Sequence, residues 1–183
     1  MTVTPLSIPD LLLIEPEVFT DDRGFFFESF NQEFFEKAIA GKINFVQENH
    51  SKSHYGVLRG LHYQLEPFEQ GKLIKVISGE IFDVAVDIRK THNSYGTWVG
   101  QYLSSYSKKQ LWIPPGFAHG FLVMSSEAEV SYKTTNFYNL QCEKCLRHDD
   151  ESLCIQWPKI SNSMIISDKD RRGKSFLELS NSI

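Results

Sequence analysis

The chain has 183 residues, of which 41% are hydrophobic and 23% are charged, a balance typical of a soluble globular protein rather than a disordered or fibrous one. Its 19 Lys and Arg against 23 Asp and Glu give a net charge of −4, and no basic block exceeds two residues, so we expect no nucleic-acid partner. No signal sequence is recognisable and no apolar run approaches the ~20 residues of a membrane span, so we expect no membrane association and a cytoplasmic location. One hydrophobic core suffices at this length, and residues 1–183 are predicted to form a single domain.

Helix is scarce in the predicted elements, and the best candidate follows early strands over 11–14 and 24–30. Asn31 is a good N-cap, apolar residues recur four apart through Phe34, Phe35, Ala38 and Ile39, and Gly41 is a good C′ residue. The pattern predicts a short helix with one face packed on the body of the protein.

The rest of the chain favours strands, because apolar residues alternate or form short runs broken by Gly, Pro, Asn and Ser. In 81–88 the alternation predicts a half-buried strand. Ser78-Gly79 indicates a tight turn, and Pro114-Pro115-Gly116 cannot continue a central ladder because two successive N–H donors are missing. Many short strands predict an all-β sandwich or jelly roll with a few short peripheral helices. The remaining predicted strands are 45–50, 73–78, 97–103, 110–113, 120–124, 129–134 and 153–157.

The three cysteines cluster late in the chain. Their odd number does not indicate a secreted disulfide framework. Cys142 and Cys145 have the spacing of a zinc knuckle, but only His148 and Cys154 lie near them as further ligands. We therefore predict no zinc site.

One segment concentrates residues suited to catalysis on an anionic substrate. It contains Arg59 and His62, and Lys72 follows within ten residues. Arginine suits phosphate contacts, histidine titrates near neutral pH, and lysine stabilises developing oxyanion charge. Each residue taken singly is also explained as a solvated arginine, a core histidine or a surface lysine. Together they favour proton transfer on a bound anion.

A second segment, from Trp112 to Gly120, has the Pro-x-Gly-x-x-His spacing of the second cupin motif, ending at His119. With the Gly56–Gln64 segment, the 77–89 segment and flanking stretches from Arg23 to Asp170, the whole chain resembles the dTDP-4-dehydrorhamnose 3,5-epimerase family. The resemblance implies a cupin-type jelly roll that needs no metal and no other cofactor. The sequence agrees, because a metal cupin has His-x-His where this chain has His62-Tyr63-Gln64, and glutamine is a poor ligand for divalent metals.

The resemblance further implies the substrate dTDP-4-keto-6-deoxy-D-glucose, whose C4 ketone acidifies the hydrogens on C3 and C5. Epimerisation needs a base on one face, stabilisation of the enolate oxygen, and an acid on the opposite face. By resemblance His62 is the base, Asp170 orients it, Lys72 stabilises the enolate and Tyr132 is the acid. Without the resemblance, Asp170 reads as part of a charged surface turn and Tyr132 as a buried aromatic residue.

The nucleotide part requires cations and a stacking ring, which the resemblance also supplies. Tyr138 is expected to stack on thymine, with Phe137 as the alternative if the register shifts by one. The other implied substrate-binding residues are Arg23, Glu28, Gln47, Glu48, Asn49, Arg59, Lys72, His119, Glu143 and Lys169.

Relatives of this kind are homodimers, so the resemblance predicts a dimer in which the N-terminal segment packs on the partner. The apolar stretch between Arg23 and Glu28 would be an aggregation risk if its edge were left unpaired. Three alternatives stay open at this point: an epimerase of C3 only or C5 only, a non-catalytic sugar-nucleotide-binding cupin, and a metal-dependent cupin enzyme.

Overall fold

The structure is a computed structural model that describes residues 1–182. Strands dominate it. In chain order the elements are β1 (Thr2–Pro5), β2 (Leu12–Glu15), β3 (Val18–Asp21), β4 (Gly24–Phe27), α1 (Gln32–Ala38), β5 (Gln47–His54), β6 (Val57–Gln64), β7 (Lys72–Ser78), β8 (Glu80–Asp87), β9 (Trp98–Ser104), β10 (Gln110–Ile113), β11 (Phe117–Val123), β12 (Glu127–Thr134), β13 (Glu143–Cys145), β14 (Ile165–Ile166), α2 (Asp168–Arg171) and α3 (Phe176–Ser182).

Two sheets pack face to face. The first has the order β1-β2-β10-β7-β12-β5, and the second has the order β13-β6-β11-β8-β9, with β14 added in parallel to β6. Strands β3 and β4 pair only with each other, as a separate hairpin. This arrangement confirms the predicted all-β, cupin-type sandwich with a few short helices. None of the helices within residues 1–182 has the length and apolar character needed to span a membrane.

The main core lies between the sheets and contains side chains from both. Ile74 of β7 and Leu111 of β10 pack against Ile81 of β8 and Leu103 of β9, and all four are fully buried. Each such side chain contributes roughly 1.5–3 kcal/mol by leaving water. Polar residues occupy the sandwich where this apolar core stops, toward the ends of β6, β7 and β12.

Strand β8 is buried on both faces, so the prediction of a half-buried strand is wrong. Its second face, with Phe82, Val84 and Val86, packs against a third layer that includes Leu146 and Leu179. Alternation along one strand carries no information about a layer contributed by the end of the chain.

The predicted strand over 153–157 is also wrong, because this segment forms a turn and irregular backbone. The Asp150 carboxylate accepts hydrogen bonds from the N–H groups of Ser152 and Leu153, and the Asp150 carbonyl accepts one from Cys154. These bonds replace a strand ladder, while the apolar side chains of the segment still join the third layer.

The predicted helix is confirmed as α1, with Asn31 as its N-cap accepting a 3.0 Å hydrogen bond from the Phe34 N–H. Phe35 is buried against Trp112. The residue in the left-handed region after the helix is Ala40 rather than Gly41, and Gly41 instead donates back to the Glu36 carbonyl. The tight turn at Gly79 and the break at Pro114–Gly116 both separate strands as predicted.

Candidate active site

A cavity of about 380 Å³ opens between the two sheets beyond the apolar core. That volume lies within the range of about 300–1,000 Å³ for small-molecule sites. Both sheets contribute to it: β5, β7 and β12 from the first, and β6, β11 and β13 from the second. The predicted site residues that line the cavity are Gln47, Asn49, Arg59, His62, Lys72, His119, Tyr132, Tyr138 and Glu143.

His62 on β6 and Asp170 on α2 form a hydrogen-bonded pair, although 108 residues separate them. The His62 Nε2 atom lies 2.8 Å from the Asp170 Oδ1, and the Gly60 N–H donates to the Asp170 Oδ2. Burial works to raise the pKa of Asp170, but the hydrogen bonds from His62 and Gly60 outweigh it and hold the pKa below its usual value. The ionised carboxylate keeps the imidazole proton on Nε2, which leaves Nδ1 as the basic nitrogen.

Helix α2 brings Asp170 to this position. Ser167 is its N-cap, and the Ser167 Oγ accepts a 3.1 Å hydrogen bond from the Asp170 N–H. The preceding strand β14 adds to the edge of β6, which fixes the start of the helix beside His62. The local sequence reads as a charged surface turn, yet Asp170 is only 4% exposed.

Lys72 is the first residue of β7, and only 6% of it is exposed. Its Nζ donates a 3.1 Å hydrogen bond to the His62 carbonyl. Burial disfavours the ammonium and lowers the pKa of Lys72 to about 8, although the carboxylates of Asp83 and Glu143 act in the opposite direction. Lys72 is therefore mainly a cation at neutral pH, placed in a site with little water.

Tyr132 lies on β12 of the first sheet, whereas His62 belongs to the second sheet, so the two side chains enter the cavity from different walls. Tyr132 stands opposite Asn49 of β5 and hydrogen-bonds to its side chain. Burial raises the pKa of the Tyr132 phenol, so the hydroxyl stays protonated and can donate.

A second histidine–carboxylate pair joins His119, which lines the cavity, to Asp83, which does not. The His119 Nε2 lies 2.8 Å from the Asp83 Oδ2, and both residues are buried. Burial lowers the pKa of His119, so a neutral ring donates its N–H to the carboxylate. Sequence reasoning assigned no role to Asp83. Its place on the same face as Ile81 and Ala85, which both point into the core, was the available signal.

Cationic and polar groups surround the cavity mouth. Arg59 is exposed there and pairs with no carboxylate among residues 1–182, and its Nε donates to the Ser53 Oγ. The Tyr138 hydroxyl donates to the Glu143 Oε2, which also lies 2.6 Å from the Lys169 Nζ. These contacts place Lys169 at the rim.

Tyr138, and not Phe137, lines the cavity. The Phe137 ring is mostly exposed, while its backbone carbonyl accepts a hydrogen bond from the Gln64 amide. The geometry therefore favours Tyr138 over Phe137 as the ring beside a bound nucleotide.

Three predicted binding residues do not reach this cavity. Arg23 and Glu28 belong to the β3–β4 region, where Arg23 pairs with Asp21 and Glu28 accepts from Asn31. Glu48 lies on the opposite face of β5 from Gln47 and Asn49, and it bonds to Ser131 and Lys133 there. The twofold alternation of side chains along a strand explains the position of Glu48.

Gln64 stands where a metal cupin has its second histidine, and both ends of its side-chain amide form hydrogen bonds. The Gln64 amide nitrogen donates to the carbonyls of Phe68 and Phe137, and its oxygen accepts from the Asn139 N–H. Gln64 is thus a structural residue that anchors the loop before β13.

Cys145 lies beside the His62–Asp170 pair, on the strand next to β6. Burial raises the pKa of its thiol to about 12, so the sulfur is protonated at neutral pH. Cys142 is not part of the one cluster of three potential metal ligands that the described part of the chain contains.

The comparisons with known proteins agree with one another. Residues 5–178 match the family model of dTDP-4-dehydrorhamnose 3,5-epimerase. The chain is 57% identical to an enzyme of that name from Shigella flexneri, covering 97% of each chain. It is similar to the crystal structure of the Legionella pneumophila epimerase in complex with dTDP-4-keto-L-rhamnose, with 44% identity, a TM-score of 0.92 and coverage of 97% and 96%. A 3′-monoepimerase of Streptomyces bikiniensis in complex with dTDP-quinovose is 28% identical, with a TM-score of 0.91 and coverage of 97% and 89%.

Proposed function

The chain belongs to the dTDP-4-dehydrorhamnose 3,5-epimerase family, and on that premise we propose that its cavity inverts C3 and C5 of dTDP-4-keto-6-deoxy-D-glucose to give dTDP-4-keto-L-rhamnose. The enzyme is accordingly an isomerase of the dTDP-rhamnose pathway. One observation carries the proposal: an oriented histidine and a half-buried tyrosine enter one cavity from different sheets, with a buried lysine in the same space.

His62 acts as the base. Asp170 holds the ring proton on Nε2, so Nδ1 is free to take the hydrogen from the carbon next to the ketone. The neighbouring carboxylate also stabilises the imidazolium that results. A base that is oriented in this way is typically worth ~10²–10⁴ in rate.

Lys72 stabilises the enolate, and Tyr132 completes the inversion. Removal of the proton moves the electron pair into the C4 ketone and leaves negative charge on O4, which the Lys72 ammonium stabilises. Because Lys72 is buried, little water screens the attraction between the two charges. The Tyr132 phenol then delivers a proton from the opposite face. The His62 imidazolium then loses its proton to solvent and the Tyr132 phenolate takes one from solvent, after which the same cycle at the second carbon inverts the other centre.

Arg59 and the residues of the rim bind the nucleotide. Arg59 has no carboxylate partner among residues 1–182, and its planar guanidinium suits the diphosphate. Tyr138 is positioned to stack on thymine, with Glu143 and Lys169 fixing its hydroxyl and the loop behind it. Gln47, Asn49 and His119 contact the sugar or the diphosphate from the walls.

Arg23 and Glu28 serve the site of a partner subunit in this proposal. They lie outside the cavity of their own chain, on a hairpin that exposes Phe19, Phe25 and Phe26. A homodimer that covers the hairpin would bury these rings and deliver both residues to the neighbour's cavity. The Glu48 side chain faces away from the cavity of its own chain, so in this proposal β5 binds the substrate through Gln47 and Asn49.

Residues 1–183 act as one domain in this account, because the site draws on elements from β5 to α2. The cytoplasmic location stays a prediction, and the three free thiols agree with a reducing compartment. The reaction needs no cofactor, since the enolate charge is met by Lys72 rather than by a metal.

Product analysis tests the proposed function. Protein that has been dialysed against a chelator is incubated with dTDP-4-keto-6-deoxy-D-glucose, and the product is identified by NMR. We expect dTDP-4-keto-L-rhamnose with both centres inverted, at an undiminished rate. A product inverted at C3 alone or C5 alone would contradict the two-centre assignment, and activity that returns only with one divalent ion would contradict the metal-free mechanism.

A further inference from the structure

The His62–Asp170 pair has a third neighbour whose chemistry the epimerase reaction does not use. Cys145 of β13 stands directly opposite His62 of β6 in the antiparallel ladder. An imidazole nitrogen of His62, the Cys145 sulfur and a carboxylate oxygen of Asp170 all lie within 4.8 Å of one another. Among residues 1–182 this is the one cluster of three such groups.

These three donor types are the ones that bind zinc in proteins. Zinc takes sulfur at about 2.3 Å, imidazole nitrogen at about 2.0–2.1 Å and carboxylate oxygen at about 2.0–2.2 Å, in tetrahedral geometry. Atoms that lie within 4.8 Å of one another can reach those bond lengths once the side chains rotate toward a common ion. The His62 side chain is 32% exposed, so solvent reaches the site and water would take the fourth position.

We propose that His62, Cys145 and Asp170 form an inhibitory binding site for a thiophilic divalent cation of the zinc class. The cation replaces the proton between His62 and Asp170: the ring proton moves from Nε2 to Nδ1, and the thiol proton of Cys145 leaves to solvent. Nδ1 can then no longer accept a proton from the substrate. The inhibition rests on the proposed role of His62 as the base, whereas the binding does not.

Cys145 is what distinguishes this site from an ordinary histidine–carboxylate pair. The other histidine–carboxylate pair, His119 and Asp83, belongs to no cluster of three potential ligands in the described part of the chain. Cys142 and Cys154 lie outside the cluster, and the Cys154 thiol donates to the Glu151 carbonyl. These two cysteines therefore provide matched controls for thiol chemistry elsewhere on the chain.

The binding test uses the metal alone on chelator-treated protein without substrate. Zinc binding is followed by calorimetry, and cobalt(II) is used as a spectroscopic probe because a thiolate ligand gives a charge-transfer band in the near ultraviolet. We expect one ion per chain and a thiolate band in the wild type. In Cys145→Ser the band should disappear and the affinity should fall by at least about tenfold, while Cys142→Ser should match the wild type. Cys145→Ala repeats the test with a residue that cannot coordinate.

The turnover test asks whether the bound ion blocks the base. Zinc should inhibit the wild type and Cys142→Ser at the concentrations at which it binds, while Cys145→Ser keeps normal turnover and resists zinc by at least about tenfold. A wild type without a thiolate band, or equal zinc affinity in the wild type and Cys145→Ser, would overturn the site. A band with undiminished turnover would overturn the inhibition and with it the role of His62. A failure of the proposed epimerase reaction would instead show in the metal-free protein.

Discussion

Two histidines that line the same cavity are each hydrogen-bonded to a carboxylate, yet their surroundings suit them to different roles. His62 is partly exposed at the wall and hydrogen-bonded to an ionised Asp170. His119 is buried, and burial lowers its pKa so that it stays neutral. A base must exchange protons with the substrate, which the exposed ring can do. The buried ring is suited to a fixed hydrogen bond.

Replacement of Tyr132 by phenylalanine should separate proton removal from inversion. The ring keeps its packing beside Asn49, but the acid on the second face is lost. We expect turnover to fall by ~10²-fold or more, while solvent exchange at C3 or C5 continues faster than product forms. Exchange is measured by mass spectrometry in heavy water. A variant that inverts both centres at the normal rate would refute the role of Tyr132.

The pKa of Lys72 predicts the alkaline limb of the pH profile. Burial lowers this pKa to about 8, so the ammonium loses its proton as the pH rises through that value. Turnover should fall over the same range, because the neutral amine cannot stabilise the enolate. In Lys72→Arg the guanidinium stays charged, so any residual activity of this variant should not fall as the pH rises through about 8. A wild-type rate that is constant up to pH 10 would contradict this role.

At the scale of elements, the end of the chain assembles the site. Asp150 is buried, and its carboxylate accepts from the N–H groups of Ser152, Leu153 and Phe176, the last at the start of α3. These bonds hold together the segment before α2 and the segment after it, and α2 itself carries Asp170. The position of the Asp170 carboxylate therefore depends on contacts made by other elements at the end of the chain.

Removal of the Asp150 carboxylate should destabilise this layer. Asp150→Ala leaves buried N–H groups without an acceptor, and we expect the free energy of unfolding to fall by about 2–3 kcal/mol. Asp149→Ala is the control, since Asp149 is exposed and pairs with Arg147. Denaturant unfolding compares the two. Equal stability of the two variants would show that the carboxylate does not fasten the layer.

The sequence predicts where the strands lie better than it predicts which other elements pack on their faces. Apolar runs between glycine and proline turns identify β7, β10 and β12, and the cap at Asn31 identifies α1. Strand β6 was not predicted, because Gly60 and the polar residues around His62 interrupt its apolar pattern. The turn at Asp150 and the third layer over β8 depend on long-range contacts that no local pattern reports. The pairing of His62 with Asp170 spans 108 residues and was predicted only through the family resemblance.

At the scale of the whole molecule, the β3–β4 hairpin is the feature that one chain does not explain. Phe26 is 71% exposed, and the Arg23 side chain is 90% exposed while pairing only with Asp21 within the described residues. Strands β3 and β4 join neither sheet. The proposed second subunit would account for all three observations, because it would cover the rings and receive Arg23.

Mixed dimers test whether the site is shared. Arg23→Ala and His62→Ala subunits are each expected to be inactive as homodimers. In a mixed dimer both lesions fall in one site and leave the other whole, so random reassortment should restore roughly one quarter of wild-type activity. Native mass spectrometry confirms that mixed dimers form. Mixed dimers without activity would show that Arg23 serves its own subunit.

The proposed removal by His62 of the protons next to the ketone is tested most directly by the incorporation of solvent deuterium. The protein is incubated with dTDP-4-keto-6-deoxy-D-glucose in heavy water, and the deuterium is located by mass spectrometry and NMR. We expect deuterium at both C3 and C5 with the wild type, and none at either carbon with a His62→Ala variant that still binds the nucleotide. Inverted product without solvent deuterium, or undiminished exchange at both carbons in the variant, would contradict it.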